Sequence, residues 1–354
     1  MKAVVLVGGF GTRLRPLTLH TPKQMLPIVD RPMIEWVLEH LGQHGVDFAV
    51  LSLGYRPDAF SAAYPDGRCA GVELHYAVED QPLDTAGAIR FAATHAGIAE
   101  RFVVMNGDVL TDLDVTALVD FHERAGAEAT ITLHEVDDPS RYGVVQTDDD
   151  GRVAAFVEKP PAGQEPSNLI NAGTYVLEPS VLERIDDGRP VSIERETFPS
   201  LVADRSLCAM VDGGAYWLDA GTPETYLQAQ LDVVGGRRAA ASASAARAID
   251  PSAVVSASAS VRNSVLGAGV HVGDEAEIID SVVFRGATIG AKARVCHSLI
   301  GAGASIGERA TLDALTVVGD ARDSPTSLLW RDCTPRAGAQ RCIRESSPVV
   351  SQGR

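Results

Sequence analysis

The chain reads as an α/β domain with a mixed, mostly parallel sheet, followed by a short left-handed parallel β-helix. Three observations predict this. Strand-like and helix-like stretches alternate through the first 235 residues, a glycine-rich turn closes the first strand, and beyond residue 248 apolar residues recur every six positions.

The first domain is expected over residues 1–235. Apolar runs at 4–7, 48–53, 74–78 and 102–105 read as strands, and the stretches 33–44, 86–94 and 115–124 read as helices between them. Such alternation builds a mostly parallel sheet covered on both faces. Four more strands, at 129–135, 142–147, 153–158 and 170–177, follow in closer succession and extend the sheet. Gly235-Gly236-Arg237-Arg238 and the Ala/Ser run to Ala248 read as a linker, placed over residues 236–248.

From 249 to 320 the pattern changes. Ile249, Val255 and Val261 are six apart, and the triplets Leu266/Val272/Ile278, Val283/Ile289/Val295 and Ile300/Ile306/Leu312 repeat them with a period of seventeen. Ser264, Ser281 and Ser298 share that period. Each six-residue step makes one flat face of a triangular coil, and its apolar side chain fills the core. The repeats are few and include His271 and His297 as their histidines, without a convincing acyl-CoA site. Assembly of a homo-oligomer is their expected use. The tail 321–354, rich in Arg, Ser and Pro, reads as disordered or as lying along a cap or partner chain, with Trp330 as its candidate anchor.

Composition narrows the partners. With 354 residues, 45% hydrophobic and a net charge of -16, the chain is an acidic, core-forming protein. It offers no basic stripe to displace the counterions of a nucleic acid. No apolar run reaches the ~20 residues of a membrane span, and Gly8-Gly9 cut the first run too short for a secretion signal. Cys69, Cys208, Cys296, Cys333 and Cys342 are odd in number and form no CxxC pair, which suits thiols in a reducing cytoplasm.

Against that acidity, the cations near the N-terminus are informative. The first strand delivers Gly8, Gly9 and Gly11, then Arg13, Arg15 and Lys23. Glycines let a backbone turn tightly and approach a ligand, and their N–H groups form a nest for phosphate oxygens. Arginine and lysine add fixed positive charge beside it. A nucleoside triphosphate site is the expectation. The Walker loop is excluded because no Gly-Lys-Ser/Thr run is present. The dinucleotide fingerprint is excluded because Leu14 occupies the place of its third glycine.

GGFGTRLRPLT (8–18) followed by PKQMLPIVDRPM (22–33) resembles the GGxGTRLxPLT and PKxxxPxxxxPM signature of the sugar-1-phosphate nucleotidylyltransferases, the NDP-sugar pyrophosphorylases. Within the family the chain is most similar to the mannose-1-phosphate guanylyltransferases with C-terminal hexapeptide repeats. The resemblance implies a Rossmann-like catalytic domain and an enzyme that joins GTP to a sugar 1-phosphate, releasing pyrophosphate. It implies Arg13, Lys23 and Asp108 as catalytic residues, and Gly8, Gly9, Gly11, Thr12, Arg13, Glu79, Thr85, Ala86 and Gly107 as nucleotide-binding. The GDV and WxDxGTP motifs, at Gly107-Asp108-Val109 and 217–223, imply Mg²⁺ held by Asp108 and Asp219; two carboxylates with phosphate oxygens and water suit its oxygen-only octahedron. The YGV, EKP and NAG motifs imply Tyr142, Gly143, Glu158, Lys159 and Asn171 around the sugar phosphate. The segment Ser192-Ile193-Glu194-Arg195-Glu196 matches a further guanylyltransferase motif of unassigned role.

Glu79 aligns with the loop position that meets the base, where uracil- and thymine-using relatives carry glutamine. An ionised carboxylate only accepts hydrogen bonds. It matches the adjacent N1–H and N2–H₂ donors of guanine and repels the carbonyls of uracil and thymine, so GTP is the expected triphosphate. Two residues depart from the pattern: Gln24 stands where guanylyltransferases have proline, and Asp84 where PLGTAG has glycine. They keep open the same chemistry on a cyclitol 1-phosphate such as valienol 1-phosphate, and activation of glucose 1-phosphate with dTTP or UTP. A non-catalytic regulatory homologue is the remaining reading, opposed by the intact cations and carboxylates.

Overall fold

A computed structural model describes residues 1–238 and 247–321. Most of the expected linker, and the expected tail from residue 322 with Trp330, lie outside the described residues.

In chain order the elements of the first 238 residues are β1 (Lys2–Leu6), β2 (Pro27–Ile28), β3 (Arg31–Pro32), α1 (Met33–Gln43), β4 (Phe48–Leu53), α2 (Asp58–Ala63), β5 (Arg68–Cys69), β6 (Val72–Val78), α3 (Asp84–His95), β7 (Phe102–Asn106), β8 (Val109–Thr111), α4 (Val115–Ala125), β9 (Ala129–Glu135), β10 (Gly143–Thr147), β11 (Val153–Glu158), β12 (Leu169–Leu177), α5 (Ser180–Glu183), α6 (Phe198–Ala203), β13 (Leu207–Val211), β14 (Trp217–Asp219) and α7 (Pro223–Val234). The described chain divides into two compact units. The first holds Met1–Gly11, Thr21–Gly221 and residues 237–238; the second holds Thr12–His20, Thr222–Gly236 and residues 247–321.

The first unit is built on a ten-stranded sheet in the order β11-β10-β12-β7-β1-β4-β6-β5, with β9 on β12 and β13 on β9. Its centre, β7-β1-β4-β6, is parallel. These strands are nearly all apolar because both faces are covered: Val4, Val50 and Val104 belong to one core cluster, Val5, Leu51 and Met105 to the other. Parallel neighbours align their C-terminal ends, so the turns after β1, β4, β6 and β7 open on one side, where α/β sheets bind ligands. No helix among the described residues is long and apolar enough to cross a membrane.

In the second unit, three parallel four-stranded sheets form the left-handed β-helix. Val255, Val272, Ile289 and Ile306 pair in sequence at the seventeen-residue step, and the apolar positions of the three later coils are buried. Ile249 differs: it is 44% exposed, because it lies on the first coil and bridges Leu266 alone. The serine period has a physical cause. Ser264, Ser281 and Ser298 each donate through Oγ to the carbonyl two residues before, at 2.7 Å. Ser264 and Ser281 also accept the next serine's N–H at 3.1 Å. The step lengthens to eighteen only at the last coil, where Ile300 pairs with Val318.

Candidate active site

The glycine turn follows β1 at the open edge of the sheet. Gly9 and Gly11 have φ of +95° and +58°, which a Cβ disfavours. A side chain built at Gly8 or Gly9 meets nothing within 4 Å. The space over this turn is therefore open, as a phosphate cradle requires. Thr12 and Arg13 fall in the second unit, on a single 3-10 turn (Thr12–Leu14), and both are exposed.

Lys23 starts another 3-10 turn (Lys23–Met25), and its Nζ pairs with Oδ2 of Asp108. Both side chains are largely enclosed, at 11% and 19% exposure, so the pair is only weakly screened by water. Gly107 makes this meeting possible. A Cβ there would stand 2.6 Å from Val7 Cγ1 and 2.9 Å from Leu6 O, so only glycine lets the chain leaving β7 cross the end of β1 so closely. Its N–H donates to Leu6 O at 2.9 Å. Gln24 packs behind Gly107 with 2% exposure, so its departure from the family pattern alters the support beneath Asp108.

Asp219 ends β14, which pairs antiparallel with β8 and places Asp219 opposite Val109. The N–H of Ala220 donates to Asp108 O at 3.0 Å. Two carboxylates thus arise from adjacent backbone positions. Among the described residues no group of three or more His, Cys, Asp and Glu gathers as a metal site. The oxygen-only pair fits a hard divalent cation that draws its other ligands from phosphate and water.

On the neighbouring strands, Gly143 pairs with Glu158 across β10 and β11, and Lys159 N donates to Tyr142 O at 3.0 Å. Lys159 has a φ of +49° directly before Pro160, a conformation that proline opposes. Its Nζ meets Glu158 Oε1 at 2.7 Å. Asn171 donates to the Tyr175 hydroxyl at 2.9 Å and accepts the Gly173 N–H at 3.1 Å. Burial raises the Tyr175 phenol far above its ordinary range, so it stays neutral. Trp217 lines the same side, its indole N–H on Ala172 O at 2.8 Å and its ring stacked on His134.

The loop after β6 is braced by Glu79. Its Oε1 accepts the Ser52 hydroxyl at 2.9 Å and its Oε2 accepts the Leu83 N–H at 3.0 Å. Asp84 then has a φ of +58°, which explains a glycine at this position in the family pattern. Its Oδ1 accepts the Thr85 N–H at 2.8 Å, and the residue is exposed at the start of α3. Thr85 donates to Glu194 at 2.7 Å and accepts the Ile193 N–H at 2.8 Å, while Ala86 N donates to Val191 O at 2.8 Å. These bonds assign a task to the guanylyltransferase-like segment. Ser192–Glu196 holds the start of α3, through a π-helical turn over Ile193–Thr197. Nothing in the sequence ties Glu194 to Thr85, which lies 109 positions away.

The nucleotidyl transferase family model matches residues 2–235, and the model of the GMPPB C-terminal domain matches residues 244–334. A mannose-1-phosphate guanylyltransferase of Mycobacterium tuberculosis is 44% identical over 238 residues, which are 66% of this chain and 65% of that protein. A mannose-1-phosphate guanyltransferase of Emericella nidulans is 45% identical over 64% of this chain and 62% of its own length. The matched segment thus spans just under two thirds of these relatives. Among solved structures, HddC from Yersinia pseudotuberculosis is 32% identical with a TM-score of 0.56, over 65% of this chain and 97% of its own. The same protein is also described in complex with GMP-PN, at a TM-score of 0.55.

Proposed function

Because the chain belongs to the nucleotidyl transferase family, we propose that it joins GTP to a sugar 1-phosphate, most simply mannose 1-phosphate, giving a GDP-sugar and pyrophosphate. The observation that carries this reading is the Lys23–Asp108 pair, set beside the glycine turn, with Asp108 directly before the residue that pairs with Asp219.

The reaction needs no covalent enzyme intermediate. A phosphate oxygen of the sugar 1-phosphate attacks the α-phosphorus, the new P–O bond forms, and the bond to the β-phosphate bridge breaks as pyrophosphate leaves. Catalysis is then positioning and charge neutralisation. Gly8, Gly9, Gly11 and Thr12 present backbone N–H groups to the triphosphate. Arg13 and Lys23 offset its charge, and Lys23 leaves its carboxylate partner when phosphate arrives. Asp108 and Asp219 would hold Mg²⁺, which supplies a Lewis acid for the phosphoryl oxygens. Lys159 meets the sugar phosphate and Glu158 a sugar hydroxyl, with Tyr142, Gly143 and Asn171 along the pocket. On the base side, Glu79, Thr85, Ala86 and Gly107 form the loop and floor, with guanine met by the Glu79 carboxylate.

Residues 1–235 serve as the transfer domain, and 249–320 as the helix for homo-oligomer assembly. The free thiols Cys69, Cys208 and Cys296 fit a cytoplasmic enzyme. A second reading keeps the chemistry and changes the acceptor to a cyclitol 1-phosphate, or the nucleotide to dTTP. Asp84 favours it, because it places an exposed carboxylate where the family pattern has glycine. One assay separates these: the protein with Mg²⁺, each of GTP, ATP, CTP, UTP and dTTP, and a panel of sugar and cyclitol 1-phosphates, read as pyrophosphate. Release with GTP and mannose 1-phosphate is expected. Silence with GTP and every acceptor overturns the proposal.

A further inference from the structure

The turn that carries Arg13 and Arg15 packs with the β-helix. Thr12–His20 belongs to the second unit, and its Leu14 and Leu17 are 0% and 1% exposed. A Cβ on Gly319, in the last coil, would stand 3.0 Å from Pro16 Cβ and 3.1 Å from Pro16 Cγ. Gly319 is not among the glycines with positive φ, so its backbone would admit other residues. The proline is the neighbour that a side chain there would press on, by a few tenths of an ångström.

The repeat explains what Pro16 replaces. At the equivalent position one coil earlier, a Cβ on Gly301 would meet Asp320 N at 2.6 Å; two coils before Gly301, one on Gly267 would meet Arg285 N at 2.8 Å. In both cases the obstacle is the backbone of the following coil. At Gly319 the obstacle is Pro16. A solenoid needs something over its last coil, and Pro16 of the arginine turn stands against that coil at Gly319. The last coil is itself held firmly: Gly301 N donates to Val318 O, Ala302 N to Asp320 Oδ1 and Ala321 N to Ala302 O, at 2.8–2.9 Å.

We infer that the Thr12–His20 turn caps the β-helix, and that Gly319 is a positioning residue for Arg13 and Arg15. The inference rests on the reading of Arg13 as a triphosphate ligand. Its consequence is that displacing the last coil displaces the turn that carries Arg13 and Arg15.

The test is the full chain carrying Gly319→Val, with Gly319→Ala as the milder variant should valine prevent folding. Gly273→Ala is the comparison, because a Cβ there meets Ala291 N at 2.7 Å and disturbs coil stacking alone. The expected result for Gly319→Val is a KM for GTP raised about tenfold with the KM for the sugar phosphate unchanged. Trypsin should also cut faster after Arg13, followed by mass spectrometry. Gly273→Ala should lower Tm and leave both readouts alone. A folded Gly319 variant with parental KM for GTP and parental cleavage at Arg13 overturns the inference, as does one whose changes match those of Gly273→Ala. Should the parent protein release no pyrophosphate at all, the proposed function fails while the trypsin comparison still decides the capping contact.

Discussion

Asp108 and Lys23 are 85 positions apart and meet because Gly107 lets β7 close over β1. Asp108→Asn should therefore lower kcat by at least ~10²-fold, the scale of losing one electrostatic anchor in a transition state. The fold should persist in circular dichroism; pyrophosphate release gives the readout. Under the proposed function Glu79 meets guanine as well, although its two oxygens already brace Ser52 and Leu83. Glu79→Gln keeps one acceptor and adds a donor, so preference for GTP over dTTP should fall by about tenfold or more. An unchanged ratio of kcat/KM values for the two triphosphates would refute its role with guanine. The two departures from the family pattern separate in space. Gln24 is enclosed behind Gly107, whereas Asp84 is exposed and left-handed. Asp84→Gly should therefore alter acceptor or base preference in the assay panel, with the left-handed turn retained.

Among the elements, the β-helix was the most legible in sequence, because its contacts repeat at a constant separation. Seventeen residues bring Ser264 to Ser281 and Ser281 to Ser298, so one period records apolar core and serine ladder together. Ser281→Ala leaves the buried Ser298 N–H without its acceptor, while the part-buried Ile279 carbonyl keeps the His297 N–H. A loss of about 1–3 kcal/mol is expected, measured by denaturant unfolding of the full chain. The strands of the sheet were legible for a different reason: burial on both faces makes them continuous apolar runs. Helix ends follow local chemistry. Asp114 caps α4 by accepting Ala117 N at 2.9 Å, and Gly126 ends it with a φ of +58°. What the sequence did not reveal is the bracing of α3, because Thr85 and Glu194 are 109 positions apart.

For the whole molecule, pH acts through buried histidines. Burial, with His44 and Arg238 nearby, pushes His40 from 6.5 down to about 4. Burial also lowers His122. The folded state thus holds His40 neutral while the unfolded chain protonates it near 6.5, so stability is present above pH 6.5 and is lost as pH falls toward 4. The loss from His40 alone is on the order of 3 kcal/mol when complete. The melting temperature should fall across that window, and His40→Leu should flatten the slope.

Residue order alone determined the fold class, the coil period and the family motifs, since each is written in neighbouring positions or at constant spacing. Tertiary structure decided which motifs meet. It joined Lys23 to Asp108, set Asp219 beside it, placed Glu194 under Thr85 and laid the arginine turn on the last coil of the β-helix. Such meetings depend on where separate elements cross in space, and a crossing leaves no period in the chain. A local pattern shows only why a glycine is allowed; what it makes room for, as at Gly107 and Gly319, is set by the distant residues packed against it.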